Sequence, residues 1–165
     1  MKLPLPTLDA LQHAYHTLIP ISEHMGLQAQ AYDGQCLRVS APLANNVNHQ
    51  QSAFGGSLFS VVALAGWGIL QLKTTEMGLD CNTVIAGGEV SYQLPVFSEL
   101  VCECRLPPDY PAFAAKLRET GKASILLETA ILVDNIPAMT FSGKYVVRQI
   151  PPTPKQDYLD SVAPA

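Results

Sequence analysis

One stretch of this sequence has no charged side chains, and it limits the folds that the chain can adopt. No Asp, Glu, Lys or Arg occurs from Val39 to Leu72, and the second half, Ser52 to Leu72, has the length of one long apolar helix. A helix that is apolar on all sides lies either in a membrane or inside a protein. Four glycines and the lack of a basic cluster at either end favour the second interpretation. We therefore expect a helix enclosed by protein, with Ser52 as its N-cap and Gly78 just beyond its end.

The rest of the sequence supplies elements that can enclose this helix. A helical stripe covers residues 7–19, and two extended runs flank Asp33-Gly34, a dipeptide typical of hairpin turns. After the apolar segment come four strand-like runs, with a short helical insert over residues 109–119. In the first of these runs, one strand face is expected to carry Val84, Ala86, Gly88, Val90 and Tyr92. This order predicts an α+β fold in which an antiparallel sheet wraps around one long buried central helix.

The length of the chain predicts one domain, and its low content of charged residues predicts association with a second copy of the chain. We expect residues 1–150 to form the domain and residues 151–165 to be a Pro-rich C-terminal tail. Only 15% of the residues are charged, which is low for a soluble monomer and predicts that a second copy covers apolar surface. The net charge of −4 and the scattered Lys and Arg residues argue against nucleic-acid binding.

The cysteines and the N-terminus point to the reducing cytoplasm. The four cysteines have no zinc-type spacing, and Cys102 and Cys104 fall on one face of a strand as small apolar groups. The first residues lack the apolar core and cleavage site of a signal peptide. We therefore expect a cytoplasmic protein that holds no metal and spans no membrane.

Three motifs resemble one known group of enzymes. Residues 48–59 read Asn-His-Gln-Gln-Ser-Ala-Phe-Gly-Gly-Ser-Leu-Phe, residues 63–68 read Ala-Leu-Ala-Gly-Trp-Gly, and residues 89–96 read Glu-Val-Ser-Tyr-Gln-Leu-Pro-Val. This pattern resembles the loop, helix start and following strand of hotdog-fold thioesterases. In particular, it resembles the thioesterase domain that in some bacteria is fused behind a GNAT-type acetyltransferase.

The resemblance implies a fold, an activity and a partner. The fold is the hotdog fold, in which the sheet wraps around the central helix. The activity is hydrolysis of acyl-CoA or acyl-carrier-protein thioesters without metal or organic cofactor. The implied assembly is a homodimer, or a tetramer built from it, with two sites at the subunit interface. The thioester carbonyl lies near the N-terminus of the central helix.

The residues at that helix start suit this chemistry. Gly55 and Gly56 leave room for a substrate carbonyl to approach backbone N–H groups of the first turn, which have no partner within the helix. Such donors stabilise the oxyanion of a tetrahedral intermediate. Ser57 is a further substrate-binding candidate, whereas Asn48 and His49 are candidates to position or activate water. The alternative for the last two residues is hydrogen bonding within the loop.

The sequence departs from the family at the usual catalytic acid. Many hotdog thioesterases have an Asp or Glu about two turns after the glycine pair, where this chain has Ala63, and no carboxylate follows before Glu76. Glu89 is the nearest alternative, and it would reach a site only across a dimer. Two other functions therefore stay open: a non-catalytic acyl-CoA-binding or dimerisation domain, and an acyl-thioester dehydratase or hydratase.

Overall fold

Helix α3 (Gly55–Glu76) is the element around which the other elements are arranged. The computed structural model describes residues 2–151, so the predicted tail lies outside the described residues from position 152 onward. The other α-helices and strands of the described residues are α1 (Leu8–Leu18), α2 (Ile21–His24), β1 (Gln28–Tyr32), β2 (Cys36–Ala41), β3 (Cys81–Tyr92), β4 (Leu100–Arg105), α4 (Tyr110–Thr120), β5 (Lys122–Val133) and β6 (Ile136–Gln149).

The strands form one antiparallel six-stranded sheet in the order β1-β2-β4-β5-β6-β3. Its inner face is apolar and packs against α3, and the buried residues on it include Leu37, Val39, Leu100, Cys102, Cys104, Ile125, Leu127, Ile131, Phe141, Tyr145 and Val147. The outer face carries the alternate, mostly polar residues, as expected for a sheet with one buried side. The predicted α+β hotdog fold is confirmed.

The enclosure of α3 by the sheet is confirmed as well. By length and composition alone, α3 is the one helix among residues 2–151 that could cross a membrane, but 61% of its most apolar window is buried inside the protein. It is therefore a core helix, with the sheet on one side and α1 on another.

Two tyrosine hydroxyls fasten the middle of α3 to its surroundings. The Tyr15 hydroxyl donates to the carbonyl oxygen of Leu64 at 2.7 Å, and the Tyr145 hydroxyl donates to that of Ala63 at 2.9 Å. Both tyrosines are completely buried. A buried hydroxyl needs a hydrogen-bond partner, and here the helix backbone provides it.

Glycines in α3 make the approach of these hydroxyls possible. A Cβ atom on Gly66 would lie 2.2 Å from the Tyr145 hydroxyl oxygen, and one on Gly68 would lie 2.0 Å from that of Tyr15. Both distances are far inside van der Waals contact. Gly66 and Gly68 are therefore present because the tyrosines pack directly against the helix backbone.

The predicted N-cap of α3 is wrong. The helix begins at Gly55 with Phe54 as N-cap, and Ser52 belongs to the preceding loop. The buried Ser52 accepts hydrogen bonds from the backbone and side-chain amides of Asn48, at 2.8 and 3.0 Å. The next residue, Ala53, donates its N–H to Val96 at 2.7 Å, which keeps the chain extended until Phe54.

The expectation that one face of β3 carries Val84 together with Val90 is also wrong. A β-bulge between Ile85 and Gly87 inserts an extra residue and reverses the alternation. Before the bulge, Thr83 is the inward residue and receives a hydrogen bond from Gln71 of α3, so Val84 points outward. After the bulge, Val90 is on the inner face.

The other turns and helix ends lie where the sequence predicts them. The Thr7 hydroxyl caps α1, and Gly78 follows α3 with a φ of 75°. The insert predicted after β4 over residues 109–119 is α4, which makes three turns before Gly121 ends it at a φ of 69°. Asp134 and Asn135 both have positive φ, which is typical of the two-residue turn that joins β5 and β6.

Candidate active site

The N-terminus of α3 has no side-chain cap. The N-cap residue is Phe54, whose side chain has no hydrogen-bond acceptor, and the first intrahelical bond runs from the Leu58 N–H to the Phe54 carbonyl at 3.0 Å. Within residues 2–151, nothing accepts a hydrogen bond from the N–H groups of Gly55, Gly56 or Ser57. These donors and the positive end of the helix dipole suit a developing negative charge.

Two aromatic side chains flank these donors. The Tyr92 hydroxyl, at the end of β3, donates to the Gly55 carbonyl at 3.0 Å and so ties the first residue of the helix to the sheet. The Phe54 ring lies over Gly56, where a Cβ atom would come within 2.4 Å of it. Both rings are more than half exposed. The start of α3 therefore combines polar backbone N–H groups with the two aromatic rings beside them.

The loop ahead of α3 is held by Asn48. Its side-chain amide donates to the Ser52 hydroxyl at 3.0 Å and to the Ala53 carbonyl at 3.4 Å, while its side-chain oxygen accepts from the Gln50 N–H at 2.8 Å. A tight turn with a positive φ at Gln51 completes the loop. Both ends of the Asn48 amide are thus used within the loop.

The other polar candidates at the helix start have different surroundings. His49 is exposed in the same loop and has no hydrogen-bond partner among residues 2–151. Ser57 is half-buried in the first turn of α3. Ser60 donates to the Gly56 carbonyl at 2.8 Å, a bond within the helix that explains this serine without a catalytic role.

Glu89 lies apart from these residues within one chain. It pairs with Ser142 in the sheet register and lines a groove on the outer face together with Glu103 and Glu128. Tyr92, which contacts Gly55, is on the inner face of the same strand. The sheet therefore separates Glu89 from the helix start, whereas Asn48, His49 and Gly55–Ser57 lie along one continuous segment.

The position at which the family usually has a carboxylate is occupied by Ala63. Ala63 is half-buried, and its carbonyl receives the Tyr145 hydroxyl. The thiols nearby do not replace the carboxylate, because burial raises the pKa of Cys104 to about 12 and that of Cys102 well above its usual value. A protonated buried thiol is a poor nucleophile. In residues 2–151, no group of three His, Cys, Asp or Glu side chains is placed to hold a metal ion.

Phe54 and Tyr92 belong to this region, although the sequence did not predict it. The sequence placed Tyr92 only on one face of a strand, and Phe54 is only one residue of the motif at positions 48–59. Both residues lie within the quoted motifs, but the contact of Tyr92 with Gly55 is tertiary and depends on the position of β3 beside the helix. An aromatic residue in place of the usual Ser, Thr, Asp or Asn before a Gly-Gly helix start is the one local sign of an uncapped terminus.

Comparisons with known proteins show the family of this chain. Residues 8–149 match the YiiD_C family, described as "Putative thioesterase (yiiD_Cterm)". A solved Chlorobaculum tepidum protein of unknown function is 34% identical, with a TM-score of 0.82 over 87% of this chain and 98% of the other. A "putative thioesterase" from Shewanella oneidensis is 31% identical, with a TM-score of 0.79 over 87% and 97%.

A more distant structure supports the fold alone. A Pseudomonas aeruginosa protein named "Probable Thioesterase" is 21% identical, with a TM-score of 0.75 over 91% of this chain and 100% of the other.

Together, the fold and these matches define the class as a hotdog-fold thioesterase. Within that class, the chain belongs to the YiiD_C family.

Proposed function

We propose that this protein hydrolyses acyl-CoA or acyl-carrier-protein thioesters, without a metal or cofactor, at the N-terminus of α3. The observation that supports this proposal most directly is the set of three backbone N–H groups, at Gly55, Gly56 and Ser57, that have no acceptor among the described residues. A thioester carbonyl that accepts from them becomes more polarised as its oxygen gains charge. In enzymes where one such donor has been removed, turnover falls by roughly a hundredfold to a thousandfold.

The water-activating group in this proposal is His49. Its imidazole takes a proton from water as the water oxygen bonds to the carbonyl carbon, and the electron pair of the carbonyl bond moves to the oxyanion. When the oxyanion collapses, the C–S bond breaks and the thiolate takes the proton from His49, which yields acid and thiol. Asn48 acts here by fixing the loop that carries His49, because its amide is bonded at both ends.

A homodimer formed through β3 belongs to the same proposal. Within residues 2–151, β3 is an edge strand that pairs only with β6, and it exposes the apolar side chains of Val84, Ile85, Val90 and Tyr92. A long edge strand with exposed apolar residues is an association site unless another chain covers it. Antiparallel pairing of two β3 strands would bring the partner's polypeptide beside Tyr92 and Gly55.

The remaining expectations complete this picture. Residues 1–150 are the catalytic domain, the tail from residue 151 is an appendage, and the protein works in the cytoplasm. The finer resemblance, to the domain that follows GNAT-type acetyltransferases, fits a domain that handles acyl thioesters. Glu89 has a catalytic role only if the partner's copy brings it around the end of β3, and a Glu89→Gln variant with unchanged turnover removes it from the scheme.

The test compares two alanine substitutions at opposite ends of α3. A Cβ on Gly55 meets only Tyr92, at an ordinary 3.5 Å, whereas Gly78 has a φ of 75° that strains any other residue. We expect Gly55→Ala to keep its unfolding free energy and to lose at least about tenfold in kcat/KM, or roughly 1.4 kcal/mol of transition-state stabilisation. Gly78→Ala should lose about 1 kcal/mol of stability and keep its kcat/KM.

The measurement is release of thiol from a panel of acyl-CoA substrates, with the unfolding free energy from urea titration. Gly55 is a cleaner position than Gly56, where a side chain must first displace the Phe54 ring. Full activity of Gly55→Ala would contradict the placement of the carbonyl.

A second function is favoured by Ala63. With no carboxylate on α3 before Glu76, the domain is also suited to bind an acyl-CoA without cleaving it. The same panel decides between the two, because tight binding without thiol release establishes the binding function and removes the hydrolase. A dehydratase is not favoured, since that chemistry couples a His with a helix carboxylate.

A further inference from the structure

One row of residues along α3 is left open by the elements that pack around the helix. Over residues 61–72, all residues are buried except Ala63 and Trp67, which are partly exposed. Gly56 and Ser60 extend this row toward the helix start, because residues three or four positions apart share a face of a helix. We call the row formed by Gly56, Ser60, Ala63 and Trp67 the open stripe.

The faces of α3 on both sides of the open stripe are covered within the chain. On one side, the Tyr15 hydroxyl of α1 packs against the backbone at Gly68 and donates to the Leu64 carbonyl. On the other side, the ring of Phe59 packs against that of Phe141 in β6, with the ring centroids 5.2 Å apart. The open stripe is therefore the part of α3 that neither α1 nor the sheet covers.

Strand β3 runs alongside α3 in the opposite direction. At the helix start, the Tyr92 hydroxyl at the end of β3 donates to Gly55. Further along the helix, Gln71 donates to Thr83, near the beginning of β3. Beyond the β-bulge, Val90 and Tyr92 lie on the inner face of the strand but are 38% and 54% exposed. The inner face of β3 therefore adds apolar surface beside the open stripe.

The open stripe carries no charge. Its one hydroxyl, that of Ser60, donates to the Gly56 carbonyl and is turned toward the helix backbone. The first charged side chain along α3 is that of Lys73, which lies beyond the stripe and pairs with Glu76. A carboxylate in place of Ala63 would require water around it and would interrupt the apolar surface. With alanine there, the stripe suits a ligand made of methylene groups.

The length of the open stripe limits the ligand. The stripe begins at Gly56, one of the proposed carbonyl-binding residues, and α3 rises about 10 Å from there to Ala63 and about 16 Å to Trp67. An extended alkyl chain advances about 1.3 Å per carbon, so these distances correspond to roughly 8 and 12 carbons. Side chains lean toward the N-terminus of a helix, so the indole of Trp67 closes the stripe within this interval. Beyond it, the same face is buried at Leu70 and Thr74.

We propose that the open stripe binds the acyl chain of the substrate and that Ala63 and Trp67 determine its length. The acyl chains that fit have a medium length of roughly 8 to 12 carbons, because the chain passes Ala63 and ends at Trp67. This inference rests on the proposed function, since it places the thioester carbonyl at the N–H groups of Gly55 to Ser57. Burial of each methylene group along the stripe raises the affinity by roughly fourfold.

The test measures binding with two thioether probes that cannot be hydrolysed, S-butyl-CoA and S-decyl-CoA. Calorimetry should show that the wild type binds the decyl probe at least about a hundredfold more tightly than the butyl probe. Ala63→Met places a long side chain in the middle of the open stripe and should lower this ratio by about tenfold or more. Ala115→Met, the same change at an exposed alanine of α4, should keep the wild-type ratio.

A second variant lengthens the open stripe instead of blocking it. Trp67→Leu removes the indole at the end of the stripe and keeps an apolar side chain against Tyr15, whose ring lies 5.7 Å from that of Trp67 between centroids. The affinity for S-tetradecyl-CoA relative to S-decyl-CoA should rise by about tenfold, because further methylene groups are then buried.

Three results would overturn the proposal. They are a wild type that binds both probes equally, an unchanged affinity ratio in Ala63→Met, and an unchanged ratio together with half the mass in light scattering. The last result would make a second copy of the chain the occupant of the open stripe.

Thiol release from decanoyl-CoA tests the proposed function separately. Chain-length-dependent binding without thiol release removes the hydrolase and keeps the acyl-binding stripe. Thiol release with the same affinity ratio in Ala63→Met and wild type keeps the hydrolase and removes the stripe.

Discussion

The start and the middle of α3 each contain two glycines, and Gly55 at the start differs from both glycines in the middle. In the middle, Gly66 and Gly68 face tyrosine hydroxyls that leave no space for a Cβ. At the start, Gly55 has ordinary clearance and could be alanine without a clash. Packing therefore explains the middle pair completely. It does not explain Gly55, and that difference is the reason to assign a function to the helix start.

Tyrosine hydroxyls show the same contrast. Three of them donate to α3 carbonyls: those of Tyr15 and Tyr145 in the buried middle, and that of Tyr92 at the exposed start. The buried pair secures the helix in the core. The exposed one holds the residue whose N–H faces the proposed substrate.

The largest expected effect is that of Gly66→Ala. Its Cβ would overlap the Tyr145 hydroxyl, so the ring must move and the buried hydrogen bond to Ala63 is lost. We expect the unfolding free energy to fall by about 3 kcal/mol, from overpacking together with one broken hydrogen bond. Urea titration measures it, with Gly55→Ala as the control that should stay within about 0.5 kcal/mol of wild type. Equal losses at both glycines would erase the distinction between the two pairs.

Alkaline pH should lower the unfolding free energy, because two buried thiols lie near the middle of α3. Cys102 and Cys104 lie on the inner face, and burial raises the pKa of both, to about 12 for Cys104. The unfolded chain releases these protons above about pH 8.5, while the folded chain keeps them. The folded state therefore binds more protons, and the unfolding free energy, complete below pH 8, falls as the pH rises towards 12.

The expected slope is up to about 1.4 kcal/mol per pH unit for each thiol. Urea titrations at pH 8 and pH 10 measure this loss. Cys104→Ala should lose stability at both pH values but show a pH-dependent loss smaller by about 2 kcal/mol. If Cys104→Ala and the wild type show the same pH dependence of the unfolding free energy, burial does not keep the Cys104 thiol protonated.

The smallest expected effects are those of removing a tyrosine hydroxyl in the middle or at the start of α3. Tyr145→Phe removes one buried hydrogen bond and should cost about 1 kcal/mol of stability while leaving kcat/KM unchanged. Tyr92→Phe should leave stability nearly unchanged and lower kcat/KM, because Gly55 is no longer held. Paired kinetic and urea measurements on both variants decide the matter. The reverse pattern would place the functional end of α3 elsewhere.

Much of this fold follows from the sequence because its signs are local. The charge-free run gives α3, alternation gives the strands, and Gly78 and Asp134-Asn135 give the turns. Two errors arose where distant residues decide the local structure. Ser52 looks like an N-cap, but Val96, far along the chain, holds its neighbour extended. The predicted alternation of β3 is wrong because a β-bulge between Ile85 and Gly87 reverses it, and the hydrophobic pattern of the sequence does not indicate this bulge.

The site was predictable only in part. The backbone donors follow from Gly-Gly before a long apolar helix, and Asn48 and His49 follow from their place in the chain. The positions of Tyr92 and Phe54 depend on tertiary contacts, and so does the separation of Glu89 from the helix start by the sheet. Which of the predicted residues react with substrate stays a prediction for the kinetic tests above.

The order of elements along the chain has a consequence for biosynthesis. β4, β5 and β6 provide most of the inner face, yet all of them follow α3 in sequence, and β3 pairs with β6, the last strand of the described residues. A ribosome therefore releases the apolar helix well before the strands that cover it. During that interval the nascent chain exposes its most hydrophobic surface, which makes it a client for chaperones. The β5–β6 hairpin, closed by a two-residue turn, is the late local step that ends this exposure.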